Sequence, residues 1–495
     1  MVFTLEPGSE VPLYRQIRDG LRAQIEAGAL SVGRRLPSSR QLAGDLGVSR
    51  VTAASAYAEL EAEGLVEPRP GSGTYVAAPW APAGPRASRP EGARLPRWQS
   101  AIGPAGSVAR SRMLRESTRS DPGVVSFAWL RGDVTLFPTV ELRRAIADAI
   151  ENDGPPSLQY AESAGYRPLR SWIAAHLRLA SVELEDDDVL VTAGAQQAID
   201  LLARIFVRPG DRVVVEAPTY PGALEAFESA RAVLVEVPLD GEGMRADALA
   251  GALERERPRL IYTIPTFHNP TGAVMGAARR REVVALAERH GVPLVEDDYL
   301  REVRFGSPIP PPLAAFDAAG NVILVGSFSK SLLPSLRLGY VVARGPLRER
   351  LIALKRVADV GSSALLQRAL HRCLESGAMH TYWKRSSRLY RRRQQTMVQA
   401  LRRHFPSGTR WSAAQGGLVL WVRVPAGASV DALLDEALAA GVSFAAGSAF
   451  FARPADQPFM RLSFAAQPEE EIERGVAILG RLLRAQLGRP TARSA

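Results

Sequence analysis

Lysine is nearly missing from this chain. Of 62 Lys+Arg residues only three are lysines, at positions 330, 355 and 384. Cysteine is rarer still, and the single thiol, Cys373, excludes an internal disulfide and suits a reducing compartment. No apolar run approaches the roughly 18 residues that a membrane span requires. The start, Met1-Val2-Phe3-Thr4-Leu5-Glu6, lacks a basic stretch followed by an apolar one, so no secretory signal is expected. The six histidines are scattered without metal-ligand spacing. These absences predict a cytoplasmic protein with no membrane segment and no metal. At 495 residues, 46% apolar and 23% charged, it is expected to be globular with two or three folding units.

The formal charge is +10, and its distribution is uneven. Residues 1–77 hold eight Arg against nine Asp+Glu, whereas residues 78–120 hold eight Arg against two Glu. A second basic block runs through Lys384, Arg385, Arg388, Arg391, Arg392, Arg393, Arg402 and Arg403, with no acid between Glu375 and Asp431. That block reads first as the solvated face of a long helix, and alternatively as a surface for nucleic-acid phosphates.

Near the N-terminus, Leu13, Ile17, Leu21 and Ile25 form one stripe of an amphipathic helix that ends at Gly28. Ser38 or Ser39 is placed to cap a second helix with Leu42, Ala43 and Leu46 facing inward. After a turn at Gly47, Ser49 caps a third, whose expected buried face is Val51, Ala54, Tyr57, Ala58 and Leu60. Two β-prone runs, Leu65-Val66-Glu67 and Thr74-Tyr75-Val76, flank Pro68 to Gly73 as a hairpin wing. Three short helices and a wing make a winged helix-turn-helix. Its third helix would present Ser49, Arg50 and Thr52 to a major groove, with Arg34, Arg35 and Arg40 near the phosphates. The acids Glu59, Glu61 and Glu63 lie at the far end of that helix. Leu36-Pro37-Ser38-Ser39-Arg40, Leu46-Gly47-Val48-Ser49-Arg50, Glu63-Gly64-Leu65-Val66 and Pro70-Gly71-Ser72-Gly73-Thr74-Tyr75-Val76 together resemble the GntR family of bacterial regulators over nearly all of residues 11–76. The resemblance implies contact with double-stranded operator DNA through Arg34, Arg40, Ser49, Arg50, Thr52 and the wing glycines Gly71 and Gly73.

Residues 78–118, rich in Pro, Ala and Arg, read as a semi-stiff basic linker. Beyond them, Val189–Val191, Val213–Val215, Val233–Val235, Leu260–Tyr262, Pro293–Val295 and Val322–Val325 are short apolar runs, mostly separated by helical stretches. This alternation predicts an α/β unit with a mainly parallel sheet, where ligands bind beyond the carboxyl ends of the strands. The chemistry-bearing residues fall at those ends. Lys330 closes the run Val322–Val325 and precedes a polar turn ending near Gly339. A lysine retained where arginine has otherwise taken over suits a task that needs an amine able to lose its proton. The other strand ends carry Thr192-Ala193-Gly194-Ala195-Gln196, a phosphate-cradling turn with Gln196 as a side-chain donor, Tyr220 as a ring platform, Asn269, and Glu296-Asp297-Asp298-Tyr299. Each is weak alone.

In order, they resemble the fold-type I aminotransferases over roughly 120–485. The resemblance implies pyridoxal 5′-phosphate (PLP) bound through Lys330. It assigns Asp297 to the ring nitrogen, Asn269 and Tyr299 to the ring hydroxyl, and Tyr220 to the ring face. Ala195, Gln196, Ser327, Ser329 and Arg337 go to the phosphate, Tyr160 to the neighbouring subunit's phosphate, and Arg461 to a substrate carboxylate. The full expectation is thus a winged helix-turn-helix (1–77), a linker (78–118) and a PLP-binding aminotransferase-like domain (119–488), the plan of the MocR/GabR-type regulators. Such a chain implies a head-to-tail homodimer and a small amine or amino-acid effector, or PLP itself, sensed by aldimine exchange at Lys330. Segment 127–137 is expected to choose the effector. A working aminotransferase carrying a DNA-binding domain, and a PLP-binding scaffold without DNA contact, are the alternatives.

Overall fold

The computed structural model describes residues 5, 6, 8, 9, 11–77, 123–306, 308–453 and 457–488. The chain divides into two compact units, Met1–Gly103 and Pro104–Ala495. The expected linker, 78–118, lies outside the described residues.

In the first unit, α1 (Leu13–Glu26), α2 (Ser39–Leu46) and α3 (Arg50–Ala62) precede an antiparallel hairpin of β1 (Val66–Arg69) and β2 (Gly73–Val76). The strands are longer than expected: Pro68 and Arg69 belong to β1, leaving a turn of three residues. Ser38 caps α2 by accepting from Gln41 N (3.2 Å), and Ser49 caps α3 by accepting from Thr52 N (3.0 Å). Gly47 adopts a left-handed φ of 67°, which lets α2 stop and α3 start within a few residues. The core gathers Ile17, Leu21, Leu36, Leu42, Ala53, Ala56, Tyr57, Leu60 and Val76. This corrects the expected face of α3. Tyr57 and Leu60 are buried, but Val51, Ala54 and Ala58 are exposed, because Ala53, Ala56, Tyr57 and Leu60 form the true i, i+3, i+4, i+7 stripe.

The second unit begins with β3 (Val125–Ser126), α4 (Thr139–Asp153), α5 (Arg167–Leu179), β4 (Val189–Thr192), α6 (Ala195–Phe206), β5 (Arg212–Ala217) and α7 (Pro221–Ser229). It continues through β6 (Val233–Asp240), β7 (Gly243–Met244), α8 (Ala246–Glu256), β8 (Leu260–Thr263), α9 (Ala277–His290), β9 (Leu294–Asp298) and β10 (Val322–Ser327). The short α10 (Phe328–Ser331), β11 (Gly339–Val342), α11 (Gly345–Asp359), α12 (Ala364–Glu375) and the long α13 (Ala378–His404) follow. The last part holds β12 (Arg410–Trp411), β13 (Val419–Arg423), α14 (Val430–Ala439), β14 (Val442–Ser443), β15 (Ala445–Ala446), β16 (Phe459–Ser463) and α15 (Glu469–Gly488).

The large sheet has the order β4-β11-β10-β9-β8-β5-β6-β7. All six apolar runs fall within it, in β4, β5, β6, β8, β9 and β10. Those six strands share one direction, while β11 and β7 run against it. The polar turn after Lys330 therefore leads straight into β11, an antiparallel return that needs no helical crossover. A smaller antiparallel sheet, β12-β13-β16-β15, carries Arg461, and the parallel pair β14-β3 links the start of this unit to its end.

The basic block lies on α13. Tyr382, Trp383, Ser386, Tyr390, Arg393 and Met397 form its buried stripe, and the remaining basic residues line the exposed face. Two of them meet acids of α15: Arg392 pairs with Glu469, and Arg403 with Glu473. Arg393 is the exception, buried against Asp133 at 2.5 Å. No described helix is long and apolar enough to cross a membrane.

Gly326 shows how tightly the strand leading to Lys330 is packed. A Cβ there would lie 2.1 Å from Tyr340 Cζ on the neighbouring β11. Gly326→Ala is expected to destabilise this unit by about 1–3 kcal/mol, through displacement of the Tyr340 ring. Denaturant unfolding followed by circular dichroism checks this, and an unchanged midpoint would contradict the packing argument.

Candidate cofactor site and nucleic-acid interface

Strand periodicity sorts the acids at the end of β9. Successive side chains point to opposite faces, so Glu296 and Asp298 turn to one side and Asp297 to the other. Glu296 faces the fully buried Arg280 at 3.6 Å and accepts from Leu313 N (2.8 Å), while Asp298 pairs with Arg301. Among the described residues Asp297 has no ion-pair partner. Its Oδ2 accepts from Tyr262 Oη (2.7 Å), and its Oδ1 is buried without a hydrogen-bond partner among the described residues. Burial pushes its carboxyl up to about 7, with the nearby carboxylates adding to the effect and the Tyr262 bond opposing it. A buried acceptor in this state is suited to a cationic N–H.

The three lysines occupy unlike settings. Lys384 is exposed on α13, and Lys355 is fully buried but ion-paired with Asp359 at 2.8 Å. Asp359 also accepts from Gln197 of α6 (2.8 Å), so that pair ties α11 to the cradle helix. Lys330 has no acid within ion-pair distance among the described residues. Its Nζ donates to the carbonyl of Leu130 (2.6 Å). Burial, then Arg461, then Arg337, push its ammonium down to about 8. Of the three it is the amine best prepared to attack a carbonyl near neutral pH.

Groups suited to an anion surround the turn between β4 and α6. Gly194 caps α6 with φ of 91°, and the helix starts at Ala195. A Cβ on Gly194 would stand 3.0 Å from Arg337 Nη2, and one on Gly339 would stand 2.9 Å from Ala195 N. Both glycines thus keep the cradle open. Arg337 donates to Ser329 Oγ (3.3 Å) and to Ala193 O (3.2 Å), and Ser327 Oγ accepts from Ser329 N (3.1 Å). A helix N-terminus, a guanidinium and hydroxyls in one place suit a phosphate dianion.

Three expected contacts are used differently. Gln196, read as a phosphate donor, gives its amide N–H to Gly222 O (2.7 Å) and accepts from Tyr220 Oη (3.0 Å), so it fixes the Tyr220 ring instead. Tyr299 donates to Phe267 O (2.9 Å). Asn269 Oδ1 accepts from Arg461 Nη1 (2.9 Å). Arg461 also donates to Ala128 O (2.6 Å), stacks on Phe450 at 5.0 Å, and leaves its buried Nε without a partner among the described residues. Burial pushes this guanidinium down to about 10. A buried cation whose described partners are all neutral awaits an anion. Tyr160 stands apart, 84% exposed. An orphan acceptor at Asp297, an amine at Lys330, an anion cradle and a free cation at Arg461 fit PLP with an amino acid.

In the first unit, Arg34, Arg40, Ser49 and Arg50 are exposed and Thr52 is half-buried. Ser49 Oγ and Thr52 Oγ1 lie 2.8 Å apart. Gly71 and Gly73, with φ of 73° and 122°, shape the wing, and a Cβ on Gly73 would lie 2.9 Å from Arg35 Nε. Two of the acids on α3 and its C-cap are engaged: Glu59 pairs with Arg18 (2.7 Å) and Glu63 with Arg22. Val51, expected from sequence in the core, is instead 74% exposed beside Arg50 and is a candidate contact to a thymine methyl.

Comparison with known proteins gives two family matches. The description "Aminotransferase class I and II" matches residues 129–479, and "Bacterial regulatory proteins, gntR family" matches residues 13–76. The chain is 36% identical to a 2-aminoadipate transaminase of Thermus thermophilus, over 79% of this chain and 98% of that one. It is 33% identical to the probable rhizopine catabolism regulatory protein MocR of Rhizobium meliloti, over 96% of this chain and 94% of the other. The crystal structure of LysN, an α-aminoadipate aminotransferase of Thermus thermophilus complexed with N-(5′-phosphopyridoxyl)-L-leucine, matches with a TM-score of 0.73 at 35% identity, covering 79% of this chain and 99% of LysN.

The lowered Lys330 has a kinetic consequence. Only the neutral amine attacks an aldehyde, so PLP uptake by the apoprotein is expected to accelerate about tenfold per pH unit below 8 and to level off above it. Stopped-flow absorbance between pH 6 and about 10 checks this. A rate still rising through pH of about 10, the ordinary lysine range, would contradict the lowered value.

Proposed function

Because the chain belongs to the aminotransferase class I and II family and opens with a GntR-family domain, as MocR-type regulators do, we propose that it is a PLP-dependent, DNA-binding transcriptional regulator. It senses a small amine or amino acid, or PLP itself. The single observation carrying this reading is the co-occurrence, in one chain, of a free basic helix start at Ser49–Thr52 and an acid-free amine at Lys330. Residues 1–77 are the reader, 78–118 the linker and 119–488 the sensing body.

PLP, when bound, supplies an aldehyde carbon able to condense with primary amines and a ring that withdraws electrons. The chain's own groups set the terms. Lys330 Nζ provides the exchangeable amine. Asp297 Oδ1 would accept a ring N–H, a bond that its dry surroundings would strengthen. Arg337, Ser327, Ser329 and the α6 N-terminus hold the phosphate, with Tyr220 fixed by Gln196 against the ring. Asn269 and Tyr299 would hold the ring hydroxyl. Arg461 takes the incoming carboxylate, for which its planar fork is suited. Exposed Tyr160 serves the partner's phosphate in a head-to-tail homodimer, and two readers then meet two half-sites of an operator in the cytoplasm. An amine shifts DNA binding only as far as it favours one arrangement of the dimer over another.

A second reading, an active aminotransferase with a DNA-binding domain, is favoured by the similarity to a 2-aminoadipate transaminase and by the intact Lys330, Asp297 and Arg461. The two separate in one experiment. Duplexes selected by the holoprotein from a random pool are titrated with wild type and with Arg50→Ala, across salt and with a panel of amines. The regulator reading expects affinity to fall about 10- to 100-fold in Arg50→Ala, to weaken steeply with salt, and to change with at least one amine. Rapid multiple turnover of amino acids with no preferred duplex would favour the enzyme.

A further inference from the structure

The basic face of α13 borders a concavity. With the end of α5 and the loop that follows β9, it encloses a cavity of about 510 Å³. The cavity lies wholly within the second unit, and none of the residues assigned to PLP or to the substrate carboxylate lines it. Nothing so far gives it a role.

Its charge is lopsided. Arg301, Arg304, Lys384, Arg388 and Arg391 line it against one acid, Glu302. Arg301 is already paired with Asp298, and Glu302 faces His176 at 3.5 Å. Among the described residues the other four cations have no acid within ion-pair distance. Lys384, Arg388 and Arg391 follow one ridge of α13 at i, i+4 and i+7, and Arg304 comes from the loop after β9. Cations crowded around a concavity repel one another, and its low-dielectric walls focus their field inward. A singly charged anion leaves most of that field uncompensated, whereas a chain of phosphates matches it.

The rest of the lining includes apolar and aromatic surface. Leu179, 87% exposed at the end of α5, is joined by Phe305 and Trp383. Trp383 is a fixed wall: its indole Nε1 donates to Ser331 O (2.8 Å), and its ring centre lies 5.9 Å from that of His176 and 5.7 Å from that of His380. His176 in turn stacks on Trp172 at 5.0 Å. Such a wall suits a flat aromatic group. Size then separates two kinds of polyanion. The ridge from Lys384 to Arg391 is about 10 Å long, room for about three consecutive phosphates rather than the roughly six to ten of a nucleic-acid footprint. The cavity volume lies within the roughly 300–1,000 Å³ of small-molecule sites.

We infer that this cavity is a second ligand site, for a nucleoside di- or triphosphate. The phosphates lie among Arg304, Lys384, Arg388 and Arg391, and the base rests on the wall of Phe305 and Trp383. The site stands independently of the PLP reading.

The test is equilibrium dialysis of the full-length holoprotein with labelled ATP and GTP in magnesium-free buffer. Tripolyphosphate, adenosine and a short random-sequence duplex serve as competitors. At least one nucleotide is expected to fill one saturable site per subunit, about fivefold or more tighter than tripolyphosphate because stacking adds to charge. Adenosine, lacking the phosphates, should compete about tenfold or more weakly than the nucleotide. Replacing both Arg388→Gln and Arg391→Gln should weaken the nucleotide about 10- to 100-fold, with the far-ultraviolet circular dichroism unchanged. Arg402→Gln removes the same charge from the exposed face of α13 outside the cavity, and should leave affinity within about twofold. An equal loss in Arg402→Gln, or tripolyphosphate binding as tightly as the nucleotides, would reduce the cavity to diffuse charge and overturn the proposal. So would the absence of saturation below about 1 mM. Displacement of the nucleotide by the duplex as effectively as by unlabelled nucleotide would assign this face to nucleic acid, and contradicts it equally.

Discussion

The arrangement around Lys330 is the constraint on which the rest depends. An amine buried beside two arginines, with no ion-paired carboxylate among the described residues, is costly as an ammonium and is therefore shifted toward the neutral form. The chain surrounds it with complementary incompleteness. Asp297 has an acceptor to spare, Arg461 a cation whose described partners are all neutral, and the cradle at Gly194 is held open by glycines packed against Arg337 and Ala195. Each of these groups is unfavourable alone in a dry interior. Together they describe, in negative, a ligand with an aldehyde, a cationic ring and a phosphate. The stability given up at these positions is recovered when that ligand binds.

Much of this was legible in the sequence, for a physical reason. Parallel strands place their carboxyl ends in one region, so six apolar runs followed by short polar stretches locate a site before any coordinates exist. Lys330 stood out because lysine is so scarce. The side-chain pairings were not legible. Gln196 reads from sequence as a phosphate donor, yet it bridges Gly222 and Tyr220 at the start of α7, which the packing of α6 against α7 brings to it. β11 escaped notice because Gly339–Val342 follows a polar turn without the helix that separates parallel neighbours. The inward face of α3 was mis-set because Val51 is apolar but lies off the stripe that Ala53, Ala56, Tyr57 and Leu60 occupy. Small residues give the true stripe a weak hydrophobic signal beside the larger, exposed valine.

The N-terminal unit shows why net charge alone misleads. Over residues 1–77 acids outnumber arginines by one, yet Glu59 and Glu63 are held by Arg18 and Arg22 on the flank of α1. Arg34, Arg40 and Arg50 stay exposed, so the field at the start of α3 is positive although the sum is not. The same distinction applies to α13, where Arg392 and Arg403 face acids of α15 and Arg393 is sequestered by Asp133.

Which amine carries the cofactor tests the central claim most directly. Borohydride reduction of the holoprotein, followed by peptide mass spectrometry, fixes the cofactor to whichever nitrogen holds it. The account predicts a phosphopyridoxyl group on Lys330 and on neither Lys355, which is tied to Asp359, nor exposed Lys384. An adduct on either of those lysines, or on none, would contradict it.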